Sequence, residues 1–247
     1  IYYYAFRLDK PPFDNILVRR AFSLAIDKET LVNQIALGKQ APADGPVPVV
    51  FDRTMQFPGH TGYTFDPERA RVLLKKAGYG ANRPFPKVTI IYNTFESHRK
   101  IAEFVQRNLR ENLNIKVQID NMEWKSLLQR LNAGQFQISR FGWCGVSDPY
   151  SFTQYFRSTS SNNRMGYKNP EVDRLLQLSL ATPDHQARMR ILATVEKHIM
   201  RDAPLIPFYY YTTNYLKLPV LRGFEAQNND IHLIKYMYWG DKEYPKP

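Results

Sequence analysis

Residues 121–149, NMEWKSLLQRLNAGQFQISRFGWCGVSDP, decide how this chain is read. An amphipathic helix from Glu123 to Asn132, a glycine turn and a buried-looking strand from Phe136 to Arg140 lead to Arg140, Trp143 and Asp148. In open α/β sheets ligands sit outside the carboxyl ends of strands, so a cation and an indole just after the apolar run Phe136 to Ile138 are placed for recognition. A capped strand end, packed rather than functional, is the other reading of the same residues.

Working outward, the preceding residues supply the rest of a sheet. Lys87 to Tyr92 reads as a strand, about Ser97 to Asn112 as a helix with Ile101, Val105 and Leu109 inward, and Ile115 to Ile119 as a second strand. This β-α-β unit is repeated by the helix and strand of the opening stretch, which predicts an α/β fold with a sheet sandwiched by helices. Upstream, Asp66 caps a helix that starts at Pro67, carries Ala70, Leu73, Leu74 and Ala77 on one face, and stops at Gly78. PPFDNILVRRAFSLAIDKETLVNQIALG reads as two helices: Val18, Ala21, Phe22 and Ala25 stripe the first. Asp27 caps the second, which holds Leu31 and Ile35 and ends near Gly38. Pro42, Pro46 and Pro48 then make residues 39–65 a long irregular loop, and loops of that length are more often functional than decorative.

Downstream, helices are predicted over 170–181, opened by Asn169-Pro170, and over 184–201, opened by Asp184, followed by the strand PLIPFYYYTT. From about Asn214 the pattern is short, aromatic and proline-bounded, the pattern of a tail that docks on something else.

A chain of 247 residues with 43% hydrophobic and 14% aromatic content can bury a sizeable core, as one large domain or two small ones. No run approaches the roughly 20 apolar residues that span a bilayer, and the opening IYYYAFRLDK has neither an initiator Met nor a secretory pattern, so the chain is expected to start mid-protein. The net charge of +11 invites a nucleic-acid reading. Its distribution opposes that reading, because Arg69, Arg71, Lys75 and Lys76 stand beside Glu68 as on a solvated helix face. Solubility or the steering of anionic ligands is the expected use of the charge. The lone Cys144 excludes an internal disulfide and a thiolate zinc site, and leaves a free thiol and half of a longer-range disulfide both open.

Sequence motifs give chemistry no foothold: there is no P-loop, GxGxxG, HExxH or GxSxG, and His60, His98, His185, His198 and His232 do not cluster. No catalytic residue, metal or cofactor is expected. A recognition set of loop aromatics, Arg, Asn and Asp is present instead. To Arg140, Trp143 and Asp148 it adds His98 at a helix opening and the run Asn162-Asn163-Arg164-Met165-Gly166-Tyr167. Asparagines in such loops also cap helices and satisfy turns, a role expected for Asn169 and left open for Asn162 and Asn163.

Five segments in order carry a resemblance over nearly the whole chain: YYYAFRLDKPPFDNILVRRAFSLAIDKETLV, FDPERARVLLKKAGY, NMEWKSLLQRLNAGQFQISRFGW, NNRMGYKNPEVDRLL and DAPLIPFYYYT. They resemble the large substrate-binding proteins of ABC importers for oligopeptides, dipeptides and related solutes. The resemblance implies a type II periplasmic-binding-protein-like lobe with helices packed on a mixed sheet. Residues 1–6 and 208–213 would be crossover strands, 7–207 the carboxyl-terminal α/β lobe, and 214–247 a tail returning to an amino-terminal lobe absent from this chain. It implies an extracytoplasmic receptor, periplasmic or at the cell surface, held at the membrane by its permease or a lipid anchor. Its partners would be a peptide or other small solute, an ABC permease and the first lobe, with no nucleic acid and no catalysis.

By motif, His98 in ESHRK and Arg140 in SRFGW match positions that meet the peptide's carboxylate end, and Trp143 matches a cleft-wall aromatic. The chain departs from the family after that Trp. Peptide-binding members carry an Asp a few residues on that pairs with the ligand's amino group, whereas here Gly145-Val146-Ser147-Asp148-Pro149 places Val146 near that position. Asp148 either substitutes or caps the following helix. The expected ligand-binding set is therefore His98, Arg140, Trp143, Asp148, Asn162 and Asn163. A receptor for a sugar or modified peptide and a basic nucleic-acid-binding domain are the alternatives, with a hydrolase built on scattered carboxylates and a chaperone-like surface protein behind them.

Overall fold

The computed structural model describes residues 1–59, 62–144, 148–225 and 232–240. In chain order the elements are β1 (Tyr2–Phe6), α1 (Ile16–Leu24), α2 (Lys28–Thr30) running into a π-helical turn (Leu31–Ala36), α3 (Val50–Met55), α4 (Pro67–Lys76), β2 (Val88–Asn93), α5 (Glu96–Leu113) and β3 (Val117–Met122). Then follow α6 (Trp124–Asn132), β4 (Ile138–Gly142), α7 (Tyr150–Thr153), α8 (Pro170–Leu180), α9 (His185–Asp202), β5 (Leu205–Tyr209), β6 (Leu221–Arg222) and β7 (Tyr238–Trp239).

Strands β1 to β5 form one sheet in the order β3-β2-β4-β1-β5. β2 pairs in parallel with β3 and β4, while β1 is antiparallel to both β4 and β5. The sheet is therefore mixed, as expected, with β1 as its one reversed strand. β1 is buried on both faces because its side chains alternate between two cores. Tyr2, Tyr4 and Phe6 join the core under α1, α4 and α5, whereas Ile1, Tyr3 and Ala5 join the core under α7, α8 and α9. Within β2 the same alternation sends Val88 and Ile90 towards α5 and Ile91 towards α6 with Leu127 and Leu131. Helices thus cover both faces, as a right-handed crossover in each direction requires.

Helix starts follow local chemistry. The Asp66 carboxylate accepts from Arg69 N with Pro67 at the first helical position, Asn169 accepts from Glu171 N and Val172 N, Asp184 from Ala187 N, and Asp27 from Thr30 N. Gly78 ends the α4 region at φ +88°, a conformation open to residues without Cβ. Solvated helix faces account for much of the charge, through pairs such as Arg71 with Glu68, Lys100 with Glu96 and Arg174 with Glu171.

Several expectations need correction. Residues 39–65 are not wholly irregular: Val50–Met55 is helical. Its six-residue length is below what periodicity detects, and it is held by Phe51 packing edge-on against Phe152 with ring centroids 5.8 Å apart. The second helix of the 11–38 stretch ends near Gly38 as expected, at Leu37 in the left-handed region, φ 56°, but loosens to a π-helical turn before it does so. Strands β3 and β4 run two or three residues further than the apolar pattern suggests. Asn93 is paired with Met122 and Gly142 with Tyr2, so partner strands rather than local composition set those ends. His60 and the Gly145-Val146-Ser147 stretch lie outside the described residues.

Candidate functional site

The chain leaves β2 for β3 on one side, returns across β2 to β4, and leaves β4 on the other side. The carboxyl ends of β2 and β4 therefore flank a topological switch point, where open α/β sheets leave a crevice. Asn93 ends β2 and Arg140 lies near the end of β4. Because β1 runs the other way, its first residues arrive at the same edge, and so do the last residues of β5.

Arg140 projects to the α5 face, which it shares with Tyr2 and His98. Its guanidinium carbon stands 4.9 Å from the centroid of the Tyr2 ring, within cation–π range. Arg140 Nη2 donates to the Tyr211 hydroxyl at 2.9 Å, and Nη1 reaches Asn93 Oδ1 at 3.5 Å. Its Nε is buried and takes no hydrogen bond. Among the described residues no carboxylate lies within ion-pair distance of it. A half-buried cation held by neutral partners leaves a strong site for an anion.

His98, in the first turn of α5, is buried, with Nδ1 3.2 Å from Asn93 O and its ring 5.6 Å from that of Tyr2. Burial first, and the Arg140 charge second, push its pKa down from 6.5 to about 4. The ring is therefore neutral near pH 7 and does not add to the charge of Arg140. The sign of the stability effect follows: the unfolded chain binds more protons between the two values, so this contribution is complete above 6.5 and is lost as pH falls towards about 4. A His98→Gln variant is expected to lose less stability than the parent between about pH 7 and about pH 4.5 in urea titrations, a comparison that isolates the group. Equal losses would show that His98 titrates normally.

The other expected site residues go elsewhere. Trp143 lies at the same edge but on the opposite face. Its main-chain N–H extends the pairing with β1 by donating to Ile1 O at 2.9 Å, and its ring lies against Tyr155 with centroids 4.1 Å apart. Its indole Nε1 is buried without a partner. Asp148 accepts from Ser151 N at 3.2 Å at the head of α7 and pairs with Arg188 of α9 at 2.6 Å. Asn163 is engaged on every side within its loop, donating to Arg157 O and Tyr167 O and accepting from Tyr167 N at 3.0 Å. Asn162 is exposed, and its N–H donates to Ser160 Oγ. The structure thus joins His98 and Arg140, sets Trp143 on the other side of the strand, and gives Asp148 and Asn163 structural partners.

Sequence reasoning missed Asn93, Tyr2 and Tyr211, which surround Arg140, and two exposed aromatics at the same edge. Phe95, 63% exposed, follows β2, and Trp124, 48% exposed, opens α6 after β3. A signal was available: each occupies the first positions beyond a parallel strand, where the sheet topology places ligands. Among the described residues no group of His, Cys, Asp or Glu could hold a metal ion. No helix of the described residues is long and apolar enough to cross a membrane.

A model of bacterial extracellular solute-binding proteins, family 5 Middle, matches residues 1–164. The chain is 32% identical over 231 residues to the oligopeptide-binding protein OppA of Bacillus subtilis, covering 90% of this chain and 42% of that one. It is 34% identical over 236 residues to a probable deoxycholate-binding periplasmic protein, YgiS, of Escherichia coli, covering 92% and 43%. The solved structure of Haemophilus influenzae OppA in complex with the peptide RPPGFSPFR superposes with a TM-score of 0.85 at 29% identity, over 96% of this chain and 48% of that chain. The chain therefore spans less than half the length of these relatives.

Proposed function

Because the chain belongs to the bacterial extracellular solute-binding proteins of family 5, we propose that it is the wall of a ligand cleft that captures oligopeptides outside the cytoplasm for delivery to the permease of an ABC importer. The observation that carries this reading is Arg140, half-buried at the switch point, clasped by Tyr2, Asn93 and Tyr211 and unpaired with any described carboxylate. A free peptide carboxylate is the complement of that group, and the charge-assisted contact orients a ligand without reading its side chains. The exposed Phe95 and Trp124 supply apolar surface at the same edge, and Trp143, half-buried against Tyr155, lies on its opposite face. Main-chain hydrogen bonds and wet pockets would hold the rest of an extended peptide.

Residues 1–6 and 208–213 act as the connecting strands between two lobes, with 7–207 as the lobe described above. Their adjacency supports this: β1 and β5 are paired, and both meet the carboxyl edge of the sheet. Residues 214–247 return to the other lobe. In support, the described part of that segment leaves Leu216, Ile234, Tyr236, Tyr238 and Trp239 exposed, more apolar surface than an unpartnered tail keeps. Closure of the lobes around ligand is then driven by the ligand's higher affinity for the closed state. The protein binds and releases; it performs no reaction. In this reading Asp148 serves as the cap of α7 and the partner of Arg188 rather than as the anchor for a peptide's amino end.

Native mass spectrometry of the gently purified protein tests this reading. A ladder of co-purifying short peptides is the expected result. A single non-peptide mass would overturn the peptide assignment in favour of another solute, of which a sugar, a modified peptide or a bile acid such as the E. coli relative's name suggests are the candidates.

A further inference from the structure

Residues 38–47, part of the long segment between α2 and α4, run beside residues 208–212. Ala43 N donates to Phe208 O at 3.0 Å, Tyr210 N donates to Ala41 O at 3.1 Å, and Pro42 faces Tyr209 in an antiparallel bridge. Thr212 Oγ1 closes the far end by donating to Gly38 O at 2.7 Å. With Pro42 and Pro46 in it, this segment has little strand propensity of its own. Two buried charged side chains hold it instead. Lys28 Nζ donates to Ala43 O at 2.7 Å and stands 3.5 Å from the Asp44 carboxylate. Glu196 of α9, 0% exposed, accepts from Val47 N at 3.0 Å.

The backbone is shaped to that carboxylate. A Cβ at Gly45 would lie 2.2 Å from Glu196 Oε1, and one at Gly59 would lie 2.0 Å from the Phe57 ring and 2.4 Å from Oε2, so a side chain at either position would displace the carboxylate. The Tyr210 hydroxyl completes the junction, receiving Gly45 N–H at 3.3 Å and donating to Gly45 O at 3.2 Å. A buried carboxylate carries a large desolvation cost that an apolar residue of the same volume would avoid, but an apolar residue offers Val47 N no acceptor.

The 208–212 segment therefore has two working sides. Tyr210 points to Gly45 and the core beneath α9, while Tyr209 stacks on Tyr2 at 4.9 Å and Tyr211 receives the Arg140 hydrogen bond. We propose that Glu196 is a positioning residue for the Arg140 site: it fixes residues 38–47 as a splint along 208–212, and the splint holds the Tyr211 hydroxyl against the Arg140 guanidinium. The functional half of this inference rests on the reading of that edge as ligand-facing; the splint itself does not.

The test uses amide hydrogen exchange and the NMR titration of His98, neither of which needs a ligand. In Glu196→Leu, which removes the acceptor for Val47 N, and separately in Tyr210→Phe, the amides of Ala43, Val47 and Tyr210 should exchange about 10-fold faster or more, while those of β2 and β3 keep their protection. The His98 midpoint should rise from about 4 towards 6.5 as water and a displaced Arg140 relieve its surroundings. Lys197→Gln, exposed on the same helix, should change none of these. Unchanged exchange in both variants would overturn the splint, and faster exchange with an unmoved His98 midpoint would overturn the positioning role. If Glu196→Leu loses protection in β2 and β3 as well, Tyr210→Phe, which removes one hydroxyl, decides. A protein that binds no peptide would overturn the ligand reading while exchange and titration still judge the splint.

Discussion

Replacing Arg140 by alanine should weaken binding of a short peptide with a free carboxylate end by roughly 10- to 100-fold, the equivalent of about 1.5–3 kcal/mol for a charge-assisted hydrogen-bonded contact. The same substitution should change the affinity for the amidated peptide by no more than about threefold, since a neutral end gains little from the cation. The contrast has a physical basis in the surroundings of the guanidinium. Its partners Tyr2, Asn93 and Tyr211 are all uncharged, so its charge is neutralised by none of them, and His98 beside it is neutral near pH 7. Tyr211→Phe separates placement from charge: it removes the acceptor for Nη2 while leaving the charge in place, and should cost less affinity than Arg140→Ala. Calorimetric titration with the two peptides is the measurement. Equal losses for both would remove Arg140 from the carboxylate role. Trp143→Ala should weaken both peptides alike, as expected of an apolar wall that does not sense the terminus.

The largest effect on stability is expected at Arg19, which does not touch the site. Its guanidinium is buried and is aimed entirely at main-chain carbonyls: Phe13 O at 2.8 Å and Asp14 O at 3.2 Å on one side, Asp202 O at 2.7 Å and Ala203 O at 3.1 Å on the other. The second pair is the carboxyl end of α9, where a cation also complements the helix dipole. α1 and α9 lie on opposite faces of the sheet, so one side chain ties the two helix layers together around its edge. Arg19→Ala should cost about 3 kcal/mol, because carbonyls lose a donor in a place that water enters only partly. Arg19→Lys should recover little, since one ammonium cannot span carbonyls that the forked guanidinium reaches together. Urea unfolding with an unchanged m-value would measure it, and a loss below about 0.5 kcal/mol would mean that Arg20, which donates to Arg201 O nearby, suffices to hold the helix end.

Motif resemblance drew His98 and Arg140 from parts of the sequence 42 residues apart, and the fold brings them to one face of one sheet edge. Trp143, three residues from Arg140, was expected in the same set. An odd offset along an extended strand sends it to the other face, which the alternation of strands predicts once the strand is known to run through Gly142. The apolar run Phe136 to Ile138 stopped too early to show this. Asp148 and Asn163 have the residue types of ligand anchors, yet their partners are Arg188, 40 residues away in sequence, and the main chain of residues 157 and 167. Nothing near Asp148 in the sequence marks Arg188 as its partner.

What the sequence determined by itself is the class of fold, the order of its longer helices and the starting points of those with a polar cap. An aspartate or asparagine cap bonds an amide two or three residues on, and an inward stripe repeats within one helix, so both are written in adjacent residues. What the tertiary structure alone decided is where β3 and β4 stop, that a helix interrupts residues 39–65, that residues 38–47 brace the last strand through Glu196, and which polar side chains are left to face the crevice. Each of these depends on a hydrogen bond or packing contact with a strand or helix distant in the chain, and such partners exist only once the sheet has closed around β1.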